Sequence, residues 1–268
     1  NMSLTSHFKQ TISGKPMDFD MDISIASDFK IIDIQDSIYK TVFTFNDFLM
    51  KVKIMNITTE MKPGSPDIAS QAFSLIIGKH ITCDLSKTGK ISNTSGLKEL
   101  IEEIIESKNS VIPEGQKEQL RAQLEQSFGE GTLNGNMLLD NCIYPGHDVN
   151  IGDQWSGEKQ TSNVVPFVSN VKYKLIAVTD SYYLVTYKSD FSASGINGNS
   201  DTPNTAKVSG KGHATIKLDR KTGWIDNSKA NMVLSGEFEV PNGSTQVNVP
   251  SEIDMKITIN GQAKKNKP

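Results

Sequence analysis

Two histidines, His80 and His213, occupy matching places in a repeated stretch of this 268-residue chain, and they are the first residues to test for chemistry. The stretch His80-Ile81-Thr82-Cys83-Asp84-Leu85-Ser86-Lys87-Thr88-Gly89-Lys90-Ile91-Ser92-Asn93 returns as His213-Ala214-Thr215-Ile216-Lys217-Leu218-Asp219, then Arg220, then Lys221-Thr222-Gly223-Trp224-Ile225-Asp226-Asn227. If two similar halves packed about a pseudo-twofold axis, the histidines would face each other and bind a metal. Such a site also needs a third ligand and a second shell to orient it. The chain offers neither, and both histidines fall on the polar side of their strands, so ordinary surface residues are the better reading. Asp18, Asp20 and Asp22 lack the glycine and distal glutamate of a calcium loop and read as the wet face of a strand. His147-Asp148 is adjacent in sequence but not arranged as a base and its orienter. No serine elbow, phosphate loop or dinucleotide fingerprint is present. The expectation is therefore no catalytic residue, no metal site and no cofactor.

Cys83 and Cys142 fit no metal spacing. Cys83 sits on the apolar face of an expected strand, where a free thiol is a small buried hydrophobe. The other reading is a Cys83–Cys142 disulfide, which requires an oxidising compartment. Neither cysteine has the electropositive setting of a reactive thiolate.

Binding is a better prospect. Leu97, Leu100, Ile101 and Ile104 follow helical spacing, with Ile105 beside them and glutamates elsewhere on the wheel. Such a face either plugs a dry core or covers an apolar ligand. Trp155 and Trp224 each stand near a turn, where an indole stacks on sugars or fills a core. These six residues are the candidate ligand-binding set.

The elements that must position them are mostly strands. Met17, Phe19, Met21, Ile23 and Ile25 alternate with polar residues, as do Ile253, Met255, Ile257 and Ile259. That period of two predicts antiparallel strands with one wet face. Hairpins are expected through Tyr39–Phe45 and Phe48–Ile57 around Asn46-Asp47, and through Val171–Thr179 and Tyr182–Phe191 around Asp180-Ser181. Helix signals are confined to residues 95–128, where Pro113 suits the start of a second helix and Gly129 its end. Ser194–Thr205 and Pro241–Ser251 read as loops.

The repeat matches at eight of fourteen positions, with an offset of 133 to 134 residues, half the chain length. A second pair, Tyr39-Lys40 and Tyr173-Lys174, has the same offset. This predicts two similar antiparallel β halves, residues 1–130 and 131–268, with a two-helix insertion at about 95–128 in the first. One arrangement is a half-barrel whose concave face the helices cover, resembling envelope lipoprotein and lipid carriers.

The net charge of −3 gives no global drive toward nucleic acid. Arg121 and Arg220 are the only arginines, which weakens any case for bidentate phosphate or carboxylate recognition. No apolar run reaches the roughly 18 residues of a membrane helix.

The segment from Tyr144-Pro145 through Gly152-Asp153-Gln154-Trp155, and the segment from Gly210-Lys211-Gly212 through Asp219-Arg220-Lys221-Thr222-Gly223, resemble a family of uncharacterised secreted or lipid-anchored envelope proteins of Bacteroides-like bacteria. In that family a proline turn is followed by a Gly-Asp-x-Trp step, and later by a Gly-rich strand ending in an Asp-x-x-Thr-Gly turn. The resemblance implies a location in the cell envelope or outside the cell, with the leader absent from this chain, and transfers no catalytic residue. The functional expectation is a non-catalytic envelope protein binding a lipid or other apolar small molecule between sheet and helices. The alternative is an interaction module presenting loops to an envelope partner.

Overall fold

In the computed structural model, residues 1–12, 15–65, 67–89, 91–106, 143–161, 167–197, 204–242 and 245–261 are described, with single residues between 115 and 125. The alternating segments form strands, as their period requires. The first half carries β1 (Met2–Ile12), β2 (Lys15–Gln35), β3 (Ile38–Ile54), β4 (Ile57–Met61), β5 (His80–Ser86) and β6 (Ile91–Ser95). The second carries β7 (Gln154–Thr161), β8 (Phe167–Val178), β9 (Tyr182–Asn197), β10 (Asn204–Asp219), β11 (Ile225–Asn242) and β12 (Thr245–Asn260). All join one twelve-stranded antiparallel sheet in the order β6-β5-β3-β2-β1-β12-β11-β10-β9-β8-β7, with β4 paired beside β3. The expected mainly β, antiparallel class is what the chain adopts. Its two halves meet where β1 pairs with β12.

Two helices accompany the sheet, both in the first half. α1 (Ile68–Ile76) starts at Asp67, whose carboxylate accepts from the Ser70 N–H at 2.8 Å, a side-chain N-cap. α2 (Leu97–Ile105) starts at Gly96, whose φ of +88° and close approach to the His80 carbonyl leave no room for a Cβ. α2 lies where sequence periodicity put it. α1 lies outside the 95–128 window, because nine residues of mixed polarity give too short a period to read. The second helix expected after Pro113 falls largely outside the described residues.

Three other expectations are corrected. The hairpin at Asn46-Asp47 is instead a bulge within β3: Asp47 pairs with Ala26 and Phe45 with Ser27, so Asn46 is left over. The extra residue restores the phase, and Phe43, Phe45 and Phe48 all reach the core. The described residues of Ser194–Thr205 and Pro241–Ser251 are strand rather than loop, since β9 with β10 and β11 with β12 pair far along polar sequence, while residues 198–203 and 243–244 lie outside the described residues. Finally, the Tyr39-Lys40 and Tyr173-Lys174 pair is not structurally equivalent. β3 pairs with β5, whereas β8 pairs with β7 and β9 and not with β10. The hairpin at Asp180-Ser181 forms as expected, and the repeated stretches form the β5–β6 and β10–β11 hairpins.

Those two repeated turns meet. Tyr144 donates its N–H to the Thr88 carbonyl at 3.2 Å and its hydroxyl to the Gly223 carbonyl at 2.7 Å. In a flat sheet, β5 and β10 would stand six strand spacings apart, roughly 29 Å. A single residue cannot span that, so the sheet is rolled. Trp224 packs on Phe29 at 5.0 Å between ring centroids and joins Cys83, Leu85, Ile91 and Tyr39. The face carrying these residues is therefore the concave one. The roll stays open, because the end strands β6 and β7 do not pair with each other.

Replacing Tyr144 by Phe removes one bond at this junction. The expected cost is about 1 kcal/mol, read as a fall in Tm of roughly 2–4 °C. An unchanged Tm would show that the hydroxyl does not hold the two turns.

Candidate functional site

Because antiparallel partners stand directly opposite each other, the strand registers lay the concave face out in transverse rows. One row runs Leu175, Val185, Ile216, Ser228, Ile259, Met2, Ile25, Phe48. The next runs Tyr173, Tyr187, Ala214, Ala230, Ile257, Leu4, Ile23, Met50. Beyond it come Val171, Ser189, Gly212, Met232, Met255, Ser6, Met21, Val52, and then Ser169, Phe191, Gly210, Leu234, Ile253, Phe8, Phe19, Ile54. The last row continues to Ile57 on β4. The face carries no charged side chain in these rows and is mostly apolar, interrupted by the buried Ser169, Ser189, Ser228 and Ser6, with Gly and Ala flattening its middle.

Its cover is uneven. α1 and α2 lie over Ile25, Phe43, Phe45, Phe48 and Ile81. Ile143, Tyr144, Val149 and Trp155 lie over the β8–β10 region. In the far rows Ser6, Leu234 and Ile253 are buried, but Met17, Phe19, Met21, Val52, Met232 and Met255 are only partly so. Ile54 is 42% exposed and Ile57 73%. The residue between them and the turn, Met55, is 74% exposed and holds a φ of +54°, a conformation that Gly or Asn adopts at less cost. The result is an open, methionine-rich apolar strip at the end of the trough away from the helices. Phe8 and Phe19 stack within it at 4.3 Å.

The six residues expected to bind a ligand do not come together. Leu97, Leu100, Ile101 and Ile104 share one face of α2 and press on Phe45, Ile76 and Ile81. Ile104 is 1% exposed, and the gap these residues line is about 10 Å3, the room of roughly one water. This interface is a packed core, each side chain contributing about 1.5–3 kcal/mol by burial. Trp155 stands elsewhere, stacked on Tyr173 at 5.5 Å with its Nε1–H donated to the Ile143 carbonyl at 2.6 Å. Trp224 closes the junction with Phe29. Both indoles thus fill cores, and neither ring lies in the α2 interface.

The polar candidates are equally dispersed. His80 and His213 lie on the convex face, on strands six spacings apart. The His80 Nδ1 bonds the Thr44 hydroxyl at 2.8 Å, and the His213 Nε2 meets the Asn231 amide at 3.3 Å. Asp20 pairs with the His7 Nδ1 at 2.6 Å on that same face. Among the described residues no group of three His, Cys, Asp or Glu side chains could hold a metal ion. Asp219 accepts from the Thr222 hydroxyl and N–H, each at 2.8 Å, and from the Lys221 N–H at 3.1 Å. The Thr222 bonds, first its hydroxyl, hold this carboxyl below the usual range; they shape a turn and perform no chemistry. On α2, Arg121 forks onto Glu102 at 2.9 and 3.1 Å and keeps it ionised to lower pH than usual.

Residues 36–225 match the family described as a family of unknown function, DUF6263. The chain belongs to this family. The DUF6263 match spans both repeated turns, Tyr144 and Trp155, and leaves β1, β2, β12 and all of β11 but Ile225 outside it. No curated protein matches the chain. A solved structure titled "Lipid-protein interactions in lipovitellin" aligns over 99% of this chain at 10% identity and a TM-score of 0.42. The chain spans 26% of that structure's length.

The methionine strip escaped sequence reading for a definite reason. Alternation identified which residues share a face, but not which stretch of that face stays uncovered.

Two side chains provide checks. Burial pushes the Cys83 thiol above its usual pKa, only partly offset by the Thr41 hydroxyl at 3.1 Å. It should resist an aromatic disulfide reagent at pH 8 in the folded protein and react after denaturation. Fast labelling of the native Cys142→Ser variant, in which Cys83 is the remaining thiol, would contradict this burial. Ser6 is 1% exposed, and its hydroxyl has no hydrogen-bond partner among the described residues. An orphaned buried hydroxyl costs about 1–3 kcal/mol, so Ser6→Ala should hold or raise the Tm. A clear fall would reveal a partner for that oxygen.

Proposed function

We propose that the protein is a non-catalytic binding module of the cell envelope that holds an apolar or amphipathic ligand on the concave face of its sheet. The observation that carries this reading is the open strip formed by Phe19, Met21, Val52, Ile54, Ile57 and Met255. A soluble domain rarely leaves contiguous apolar surface uncovered without a use for it. Methionine is suited to such a use, since its unbranched, polarizable side chain adapts to ligands of varied shape. The trough gives concavity and the neighbouring strands give a rigid frame, the usual makings of a small-molecule site.

The gap beneath α2 is a poorer location. A ligand there would have to separate Ile104 and Leu100 from the sheet and lose their packing. On the open strip it would replace water and displace little protein.

The test combines native mass spectrometry, organic extraction of bound material and titration with the fluorescent fatty acid 11-dansylundecanoic acid. The native protein should take up the probe, and Ile57→Asp combined with Phe19→Ser should weaken binding about tenfold or more, from lost apolar burial. An apo mass together with no probe binding would overturn the proposal. Binding that survives those substitutions but falls on Leu100→Asn would relocate the ligand beneath α2. The envelope location belongs to the same proposal and is read by fractionation of the source cells.

A further inference from the structure

The convex face carries a second feature, independent of what the concave face holds. The same registers that order the trough also order its back. One row there reads Ser156, Lys172, Lys188, His213, Asn231, Lys256, Thr5. Its neighbour reads Gln154, Lys174, Thr186, Thr215, Lys229, Thr258, Ser3. From β7 to β1 these two adjacent rows contain five lysines and no carboxylate, as the two sequences of residues show. Lys172, Lys174, Lys188, Lys229 and Lys256 are exposed, and none forms an ion pair among the described residues.

A solvated sheet face does not require this pattern. Elsewhere on the same face, charges interleave: Lys9 stands between Glu252 and Asp18, His7 between Asp254 and Asp20, and Lys51 pairs with Glu60 at 2.8 Å. Lys172 and Lys188, in contrast, are directly opposed across β8 and β9, an arrangement that costs stability. A repulsion maintained inside a carboxylate-free stripe fits a surface that meets negative charge.

We propose that this stripe binds a linear anionic polysaccharide lying across the strands. The shape favours a chain. The stripe is two rows wide and about 29 Å long, and the next row brings Asp190, Asp254 and Asp20 back. A planar bilayer would touch only the crest of a convex sheet and would meet those carboxylates as well, whereas a flexible chain follows the curve. The chemistry favours a sugar. Thr186, Thr215, Thr258 and Asn231 place hydroxyls and an amide between the lysines, which suits carboxylate or sulfate groups set among sugar hydroxyls. The rows hold no Phe, Tyr or Trp ring on which a base would stack.

The experiment measures binding of the full chain to heparin and to polygalacturonate at low and high salt. Neutral dextran, single-stranded DNA and phosphatidylcholine vesicles containing one quarter phosphatidylglycerol serve as competitors in kind. The expected result is salt-sensitive binding to the two acidic polysaccharides, weakened roughly tenfold by Lys172→Ser with Lys188→Ser. Lys9→Ser should leave it unchanged. The double variant should melt no lower than the native protein, because it relieves a repulsion. Unaltered polysaccharide binding in the double variant would overturn the proposal, as would tighter binding to the vesicles or to DNA.

Discussion

A wide antiparallel sheet with one apolar face has to cover that face, and nearly every other feature of this protein follows from how it does so. Alternation along β1, β2, β11 and β12 puts methionine, isoleucine, leucine and phenylalanine on a single side. Two helices cover the side over β2, β3 and β5, and the segment around Tyr144 and Trp155 covers it over β8–β10. Rolling covers more, by bringing Trp224 down on Phe29. What these devices leave open is the far end of the trough, between Phe19, Ile54 and Ile57.

The roll has its own supports. Gly210 and Gly212 on β10 occupy places where an added Cβ would strike the Val233 carbonyl or the Ser189 and Phe191 side chains, so the backbone there has no space for a side chain. The bulge at Asn46 keeps three phenylalanines of β3 in the core across a change of phase. Tyr144 ties the repeated turns together from outside the sheet, using its backbone for one and its side chain for the other. Both turns share a glycine at positive φ, +84° at Gly89 and +74° at Gly223.

Several titratable groups of the convex face are tied into local pairs, among them Asp20 with His7 and Glu60 with Lys51, whereas the five lysines of the stripe form no ion pair among the described residues. The Cys83 thiol is buried beside Thr41. Ligand recognition would rest instead on shape and apolar area on the concave side, and on charge arrangement on the convex side. Since β1, β2, β12 and all of β11 but Ile225 lie beyond the matched DUF6263 region, the middle of both surfaces is built from segments outside it.

Much of the architecture was legible in the chain itself. Period-two alternation determines strands, and their faces, from local sterics alone; helical spacing does the same for α2, and glycine with a polar opener for the two turns. The residues of α2, Trp155 and Trp224 were recognisable as apolar surface seeking cover. Which surface covers which was not legible, because that depends on pairing between strands distant in sequence. The join of β1 to β12, the roll that brings Thr88 and Gly223 to one tyrosine, and the emptiness beside Ile57 are all consequences of long-range register. So is the lysine stripe, whose five lysines lie in four separate strands and become neighbours only when the sheet forms. Local sequence decided what each strand offers to either side, and only the tertiary structure decided what meets it there.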